Sequence, residues 1–285
     1  MMTGCILKLK EILDDLKPSE MKAAKYILAY TDDIIGAPIG ELAERSGVSK
    51  AAIVRLCKTL GFSGYRDFSI EIAADMGSQR TEENKYTDIQ PGDELETIIK
   101  NVCHNNKKSI DDSLQVLDYK EVRKAVDAIH KAKQLNFYGV GASGMVALDA
   151  ALKFLRINKY CQAYTDPHIQ VTAAANLTKG DVAVAISYSG ETKDILESAN
   201  VAKQSGAVLI AVTKYGKSTL SETADIRLFL SSPETSMRSG AMGSRIAQLN
   251  MIDIIFSGVA SLEYRQIKKH LDRTYKVTSM KKNYK

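Results

Sequence analysis

The sequence predicts two domains, an N-terminal all-α domain and a C-terminal α/β domain with a doubly wound, five-stranded parallel sheet of flavodoxin-like type. Apolar residues recur at helical spacing through residues 5–76, whereas from Gln134 onward short apolar runs alternate with helical patterns. A chain of 285 residues is long enough for two cores. Between the two patterns lies a polar stretch without periodicity. We therefore assign residues 1–77 to the first domain, 78–92 to a linker and 93–285 to the second domain.

The first domain has the pattern of consecutive short helices. Apolar residues keep helical spacing until Pro18 interrupts them. Ser19 is predicted to cap a second helix that runs through Tyr30. After the linker, residues 93–117 and 118–133 are predicted as two further helices.

Five apolar runs in the second domain are predicted as buried parallel strands joined by right-handed crossovers. They are Leu135–Gly139, Cys161–Thr165, Val182–Ile186, Val208–Thr213 and Ile226–Leu230. The predicted helices are Met145–Asn158, Pro167–Asn176, Thr192–Gln204, Ser218–Thr223 and a long last helix, Ser244–Lys269.

Several functional classes are excluded by composition. The four cysteines are scattered without a C-x-x-C pair, so neither a zinc site nor a disulfide framework is expected, and no metal or cofactor is predicted. Lys8 and Lys10 interrupt what would be the apolar part of a signal peptide. No apolar run approaches the roughly 18 residues of a membrane span. A cytoplasmic protein without membrane contact is the expectation.

Residues 39–68 carry the pattern of a helix-turn-helix. Gly47 lies where the first helix must end in a left-handed conformation, and Ser49 is placed to cap the second helix. Four cations and no carboxylate occur between Lys50 and Arg66. Such a helix suits the major groove, with its first turn at base edges and later cations at phosphates. The residues predicted to contact DNA are Ser49, Lys50, Ala51, Ala52, Arg55, Lys58 and Arg66.

Charge is unevenly distributed along the chain. Residues 1–80 carry eleven cations and eleven anions, and this zero balance favours the alternative of a helical hairpin used only for packing or dimerisation. Residues 264–285 carry eight cations and one anion. The basic tail is interpreted as a solvated terminus, with contact to nucleic acid as the alternative.

The segment Asp181–Thr192, DVAVAISYSGET, combines an apolar strand with a turn rich in hydroxyl groups just before a helix. Free backbone N–H groups and the positive end of a helix dipole make such a turn a binding site for an anion. Gly139–Gly144 has the spacing G-x-G-x-x-G, and Asp166 lies about 22 residues further on, which fits a dinucleotide site. We give this alternative less weight, because the motif alone is weak and a second phosphate-type loop is present.

In a doubly wound sheet, ligands bind at the carboxyl ends of strands where the strand order reverses. Gly139–Gly144 and Ser187–Thr192 are therefore predicted to flank one crevice. The expected ligand is a phosphorylated small molecule.

These motifs resemble a known family. The turn Ser46–Gly47–Val48–Ser49, followed by Ile53–Arg55 and Leu60–Tyr65, resembles the helix-turn-helix of RpiR-type bacterial regulators. In that family a sugar-isomerase (SIS) domain follows, as the second predicted domain does here. The resemblance covers residues 1–265 and implies a transcription regulator, more often a repressor, of sugar or amino-sugar catabolism.

The resemblance also implies roles for individual residues. Hydroxyl groups of Ser187, Ser189 and Thr192 would bind the phosphate, helped by backbone N–H groups of Gly190, Glu191 and Thr192. Further contacts to the phosphate or sugar are implied for Ser143, Gly144 and His168. Glu234 and Arg245 are candidates by position, because they flank the glycine- and serine-rich run Ser236–Ser244 before the last helix.

SIS domains also occur in phosphosugar isomerases, so an isomerase with an accessory DNA-binding or dimerisation domain is the alternative function. Isomerisation needs a general base, and only Glu191, His168 and Glu234 qualify in the crevice loops. We see no second catalytic motif, so no catalytic residue is predicted. The expected partners are an operator in double-stranded DNA, a sugar phosphate such as N-acetylmuramic acid 6-phosphate, and further copies in a dimer or tetramer.

Overall fold

The structure, a computed structural model, describes residues 4–79, 92–233 and 241–280. The chain divides into two compact units. Unit 1 comprises the described residues of Met1–Val116 together with Tyr215–Lys217, and unit 2 those of Leu117–Lys214 and Ser218–Lys285. An N-terminal helical domain and a C-terminal α/β domain, as the sequence predicts, are confirmed.

Regular structure in unit 1 is entirely helical within the described residues. Leu9, Ile27, Ile53 and Phe68 come from four different helices and are fully buried in one core. The helices are α1 (Cys5–Glu11), α2 (Pro18–Ala29), α3 (Ile39–Ser46), α4 (Lys50–Thr59), α5 (Tyr65–Gln79) and α6 (Leu95–Val116).

The start of α2 differs from the prediction. The helix begins at Pro18, whose fixed φ suits the first helical position, and Lys17 precedes it without a side-chain cap. Ser19 therefore lies inside the helix, and its predicted capping role is wrong.

Helix α6 belongs to unit 1, whereas the sequence placed residues 93–285 in the second domain. The backbone of Gly4, just before α1, approaches the end of α6 so closely that a β-carbon there would lie 2.7 Å from Cβ of Gln115. This close packing of α6 on α1 places the division between the compact units at Val116.

Unit 2 is built on five parallel strands in the order β2-β1-β3-β4-β5. The order reverses between β1 and β3, which is the doubly wound topology that the sequence predicts. The strands are β1 (Leu135–Tyr138), β2 (Cys161–Tyr164), β3 (Val182–Ile186), β4 (Val208–Lys214) and β5 (Ile226–Leu230).

Helices cover both faces of this sheet. Phe137 and Phe154 lie in the core under one helical layer, and Tyr138 and Leu209 lie in the core under the other. Because both faces are covered, every residue of β3 is buried, which explains its unbroken apolar run. The helices are α7 (Tyr119–Lys131), α8 (Ala142–Arg156), α9 (Pro167–Ala175), α10 (Lys193–Gln204), α11 (Thr219–Thr223), α12 (Met242–Leu262) and α13 (Tyr264–Met280).

The predicted long last helix is two helices. Glu263 leaves the helical region (φ −128°, ψ 45°), and α12 and α13 are bent by 115° there. Buried Val259 and Ile267 continue the apolar spacing across the break, so periodicity alone could not reveal it. In the part of the chain that the structure describes, no single helix is long and apolar enough to cross a membrane, and only this bent pair reaches that length and composition together.

Candidate functional site

The turn between α3 and α4 has the geometry of a helix-turn-helix. Gly47 ends α3 in the left-handed region (φ 62°), and Val48 N donates to Ala43 O at 3.0 Å. Ser49 Oγ then accepts a hydrogen bond of 3.2 Å from Ala52 N and so caps α4. The turn that the sequence predicts is therefore formed as expected.

One face of α4 is exposed and basic. Ile53 and Leu56 are fully buried on the inner face of the helix. Of the residues predicted to contact DNA, Ser49, Lys50, Ala51 and Lys58 are exposed around α4, and Arg66 is exposed at the start of α5.

The structure corrects the prediction that Ala52 contacts DNA. Its side chain is fully buried, because it lies one turn before Leu56 on the inner face of α4. A methyl group packed in the core cannot reach a base edge.

Arg55, another residue predicted to contact DNA, already contacts two side chains of α2. Its Nε donates to Glu20 Oε1 at 3.1 Å, and its Nη2 lies 3.5 Å from Ser19 Oγ. The side chain of Glu20 is 6% exposed and that of Arg55 is 52% exposed. Sequence reasoning missed Glu20, because no spacing rule joins residues 35 positions apart on different helices.

The second candidate site lies at the carboxyl edge of the sheet in unit 2. β1 and β3 are direct neighbours, and the strand order reverses between them. Gly139–Gly144, hereafter the first loop, follows β1 and enters α8. Ser187–Thr192, hereafter the second loop, follows β3 and enters α10. The two loops thus leave adjacent strands at one edge of the sheet.

The second loop presents hydroxyl and N–H groups at the start of α10. Ser187 Oγ lies 3.0 Å from Thr192 Oγ1 and accepts a hydrogen bond of 3.2 Å from Gly190 N. Ser189 Oγ accepts from Glu191 N at 3.3 Å. Two of the three N–H groups predicted to bind phosphate, those of Gly190 and Glu191, are therefore bonded within the loop. Within the described residues, the N–H groups of Thr192, Lys193 and Asp194 have no acceptor.

Gly190 is required by the packing of the second loop. It has a φ of 69°, and a β-carbon there would lie 2.2 Å from Ser218 Oγ and 2.8 Å from Thr213 Oγ1. Its carbonyl accepts a hydrogen bond of 3.0 Å from Leu220 N. The second loop is thus held against the segment that follows β4 and begins α11.

Glu191 strengthens the same contact. Its carboxylate accepts hydrogen bonds from both Thr219 N and Thr219 Oγ1, each at 2.7 Å. Both carboxylate oxygens accept a hydrogen bond at the start of α11, which fixes the orientation of this side chain. Sequence reasoning missed Thr219 as its partner.

The first loop is tightly packed at its glycines. A β-carbon on Gly139 would lie 2.4 Å from Ser143 O, and one on Gly144 would lie 3.1 Å from Gly139 O. Gln170, fully buried on α9, donates through Nε2 to Gly139 O at 2.8 Å and to Tyr164 O. The ends of β1 and β2 are joined by this amide.

Ser143 meets a buried amide from α12. Its Oγ lies 3.1 Å from Nε2 and 3.3 Å from Oε1 of Gln248, which is 1% exposed. Gln248 and Gln170 were missed by sequence reasoning. Each could have been noticed in the sequence as a polar residue at a position that the helical pattern assigns to the buried face.

The other residues predicted to bind the ligand take no part in these contacts. His168 lies in the first turn of α9 and Arg245 in the first turn of α12, and both are exposed. Neither side chain forms a hydrogen bond or ion pair within the described residues. Glu234 lies outside the described residues. The described ranges also contain no cluster of three or more His, Cys, Asp or Glu side chains that could hold a metal ion.

Comparison with known proteins identifies both domains. Residues 3–79 match the helix-turn-helix domain of the rpiR family, and residues 128–258 match the SIS domain. The chain is 44% identical over 281 residues to an uncharacterized HTH-type transcriptional regulator of Caldanaerobacter subterraneus, covering 99% of both chains. It is 38% identical over 275 residues to the HTH-type transcriptional regulator YbbH of Bacillus subtilis, covering 96% of both.

Among solved structures, the chain is similar to the NanR protein of Vibrio vulnificus in complex with ManNAc-6P. The TM-score is 0.60 at 26% identity, covering 96% of this chain and 97% of that one. Sequence, fold and relatives agree over nearly the whole chain. The protein therefore belongs to the RpiR family of HTH-type transcriptional regulators, with a helix-turn-helix domain followed by a SIS domain.

Proposed function

We propose that the protein is a cytoplasmic repressor of sugar or amino-sugar catabolism whose effector is a sugar phosphate bound by unit 2. The observation that carries this proposal is the start of α10, where three N–H groups have no acceptor among the described residues and lie beside the hydroxyl groups of the second loop. The similar NanR structure contains ManNAc-6P, which supports an amino-sugar phosphate as ligand class.

In this proposal the second loop binds the phosphate. Ser187, Ser189 and Thr192 supply hydroxyl groups, and the free N–H groups of Thr192 and Lys193 supply donors aligned with the dipole of α10. From the neighbouring first loop, Ser143 donates to the phosphate or the sugar. Gly144 and Gly190 allow the backbone to approach closely at these positions.

Three side chains are proposed contacts to the sugar itself. His168 and Arg245 are exposed at the starts of α9 and α12 and keep their donors free within the described residues. Glu234 precedes α12 in the chain and is kept as a proposed ligand on its chemistry alone. Of the three, only Arg245 carries a permanent positive charge.

DNA contacts are proposed for the exposed face of the helix-turn-helix. Ser49, Lys50 and Ala51 lie at the start of α4, where a recognition helix meets base edges. Lys58 and Arg66 are proposed to bind phosphates, which positions the protein without reading sequence. We propose that two copies read a pseudo-palindromic operator and that the effector favours one arrangement of these copies.

A regulator is favoured over an isomerase by one contact. The carboxylate of Glu191 accepts hydrogen bonds from Thr219 through both oxygens, so the acid–base group nearest the proposed phosphate position is held toward α11 and not free to turn toward a sugar.

The function is tested with a panel of sugar phosphates, including ManNAc-6P and N-acetylmuramic acid 6-phosphate. A ligand should raise the thermal midpoint of the wild type by mass action. It should also change the affinity for a duplex that the wild type selects from a random DNA pool. The double variant Ser187→Ala/Ser189→Ala should lose both responses.

Ser205→Ala is the matched control, because Ser205 ends α10 and its hydroxyl donates to Val201 O at 3.0 Å, away from the second loop. It should respond like the wild type. A double variant that still responds to the ligand would refute the proposed phosphate site.

A further inference from the structure

The guanidinium of Arg55 has one edge bonded to α2 and another edge whose donors have no partner within the described residues. Nε donates to Glu20 Oε1 at 3.1 Å, and Nη2 lies 3.5 Å from Ser19 Oγ. These two contacts use the edge formed by Nε and Nη2. The edge formed by Nη1 and Nη2 keeps its donors, and it presents two parallel N–H groups.

Arg55 lies on the outward face of α4. It follows the exposed residue Ala51 by four positions and precedes the exposed residue Lys58 by three, so the three share one side of the helix. Ile53 and Leu56, on the other side, are fully buried. Half of the Arg55 side chain is exposed. It is therefore accessible on the face of α4 that is proposed to meet DNA.

Glu20 is a rigid anchor for this arginine. Its carboxylate is nearly buried, and Ala23, Ala24 and Ile27 of the same helix are fully buried in the core of unit 1. An arginine has many rotamers to lose when it binds a partner. Because Glu20 fixes the guanidinium in the folded protein, much of this freedom is lost before DNA arrives.

The carboxylate of Glu20 also favours a base over a phosphate as the partner of Arg55. It compensates the positive charge of the arginine and so weakens the attraction to a phosphate. Hydrogen bonds to a base depend on the match of donors and acceptors rather than on net charge. In the major groove guanine offers two acceptors, O6 and N7, which match two parallel N–H donors.

We propose that Arg55 reads a guanine through Nη1 and Nη2, and that Glu20 is the positioning residue that holds it. This contact rests on the proposed function as a DNA-binding regulator and adds what the operator must contain. Each half-site carries a G·C pair at the position that faces Arg55. Glu20 acts through Arg55 and does not touch the DNA.

The test measures the base preference of the full chain. Duplexes that the wild type selects from a random pool are varied at each base pair, and fluorescence anisotropy gives the affinity for each. The wild type should prefer guanine at one base pair of each half-site. In Arg55→Lys the single ammonium group is engaged by Glu20 and cannot offer a parallel pair of donors to a base. The preference at that base pair should therefore fall about 10-fold or more, and the others should remain.

Arg45→Lys is the matched control. Arg45 lies on α3, pairs with Glu41 one turn earlier and has a similarly exposed side chain, but it is outside the predicted DNA-contacting set. The same substitution there should leave the preference at every base pair unchanged. Circular dichroism verifies that each variant is folded.

Glu20→Ala tests the positioning role. Arg55 then keeps its donors but loses its anchor, so the preference at the same base pair should fall at least about 3-fold. The fall should disappear in an Arg55→Lys background. Glu20→Gln retains an oxygen that can accept from Nε and should restore the preference. A merely structural role of Glu20 would instead lower the affinity for all duplexes equally.

Three results would each overturn the proposed contact. They are a wild-type base preference in Arg55→Lys, a uniform loss of affinity in Glu20→Ala, and a loss of preference from Glu20→Ala that persists in the Arg55→Lys background. A wild type that selects no duplex from the pool would refute the proposed DNA binding, and the contact with it.

Discussion

The guanidinium of Arg55 on α4 donates through Nε to the carboxylate of Glu20 on α2 at 3.1 Å. This bond fixes the proposed recognition helix to the helix that supports it. It also means that Arg55 stabilises unit 1 whether or not DNA is present.

Arg55→Ala should therefore lower stability. It leaves the nearly buried carboxylate of Glu20 without its cation, at a cost of about 1–3 kcal/mol in the free energy of unfolding. Urea unfolding of the full chain measures this loss. Unchanged stability would show that the ion pair contributes nothing.

Lys58→Ala is the control for Arg55→Ala, because both residues lie on α4. Lys58 is exposed and forms no ion pair within the described residues, so its removal should alter stability by less than about 0.5 kcal/mol. If Lys58 binds a phosphate as proposed, the slope of log affinity for DNA against log salt should fall by about one. An unchanged slope in a salt titration contradicts that role.

Gly190→Ala should abolish the response to the ligand. The new methyl group would overlap Ser218 and force the second loop away from its position. Gly180→Ala is the control, because Gly180 also has a positive φ (98°), but a β-carbon there meets only the Lys133 side chain, at 3.7 Å. The control should cost about 1–2 kcal/mol of stability and keep its ligand-induced thermal shift. Equal ligand responses in both variants would show that the second loop is not the binding element.

Glu191→Gln separates a structural role from a catalytic one. The amide cannot accept from both donors of Thr219, so unit 2 should lose about 1 kcal/mol of stability. A coupled isomerase assay on sugar phosphates should give no turnover with either protein. Turnover by the wild type that disappears in the variant would overturn the proposal of a pure regulator.

Thiol reactivity should single out Cys103. Burial raises the pKa of Cys57 to about 12 and that of Cys161 to about 11, and it also raises the pKa of Cys5. Cys103 is exposed. At pH 8 a disulfide reagent should therefore react rapidly with one thiol only, and Cys103→Ser should remove the fast phase. A fast phase that survives in this variant would show that unit 1 or unit 2 opens readily.

Asp112→Asn should stabilise the protein at neutral pH. Burial raises the pKa of Asp112 despite the ion pair with Lys108 at 3.0 Å. A raised pKa in the folded state means that ionisation costs stability as the pH rises through it. The advantage of the variant in thermal midpoint should therefore shrink as the pH falls and the wild-type carboxyl group is protonated. A constant advantage at all pH values would assign the effect to something other than ionisation.

The sheet was the most predictable part of the molecule. All five strands lie within one residue of their predicted ends, because buried parallel strands are continuous apolar runs bounded by polar turns. The strand order was not predicted, and the structure shows that it reverses between β1 and β3, where both loops leave the sheet.

Contacts between distant residues were not predictable in the same way. The Arg55–Glu20 pair and the Glu191–Thr219 contact depend on tertiary packing that no local pattern encodes. The burial of Ala52 was missed because alanine is compatible with either face of a helix. The break at Glu263 could not be predicted, because no proline or glycine lies next to it.

The hydroxyl groups of Ser187 and Thr192 form a hydrogen bond within the second loop. One hydroxyl donates to the other, so the second loop supplies a partner for this pair from within itself. A ligand must replace this bond with better ones, and only a strong acceptor such as a phosphate oxygen gains from the exchange. In the proposed regulator, such a loop selects a phosphorylated sugar over a neutral one.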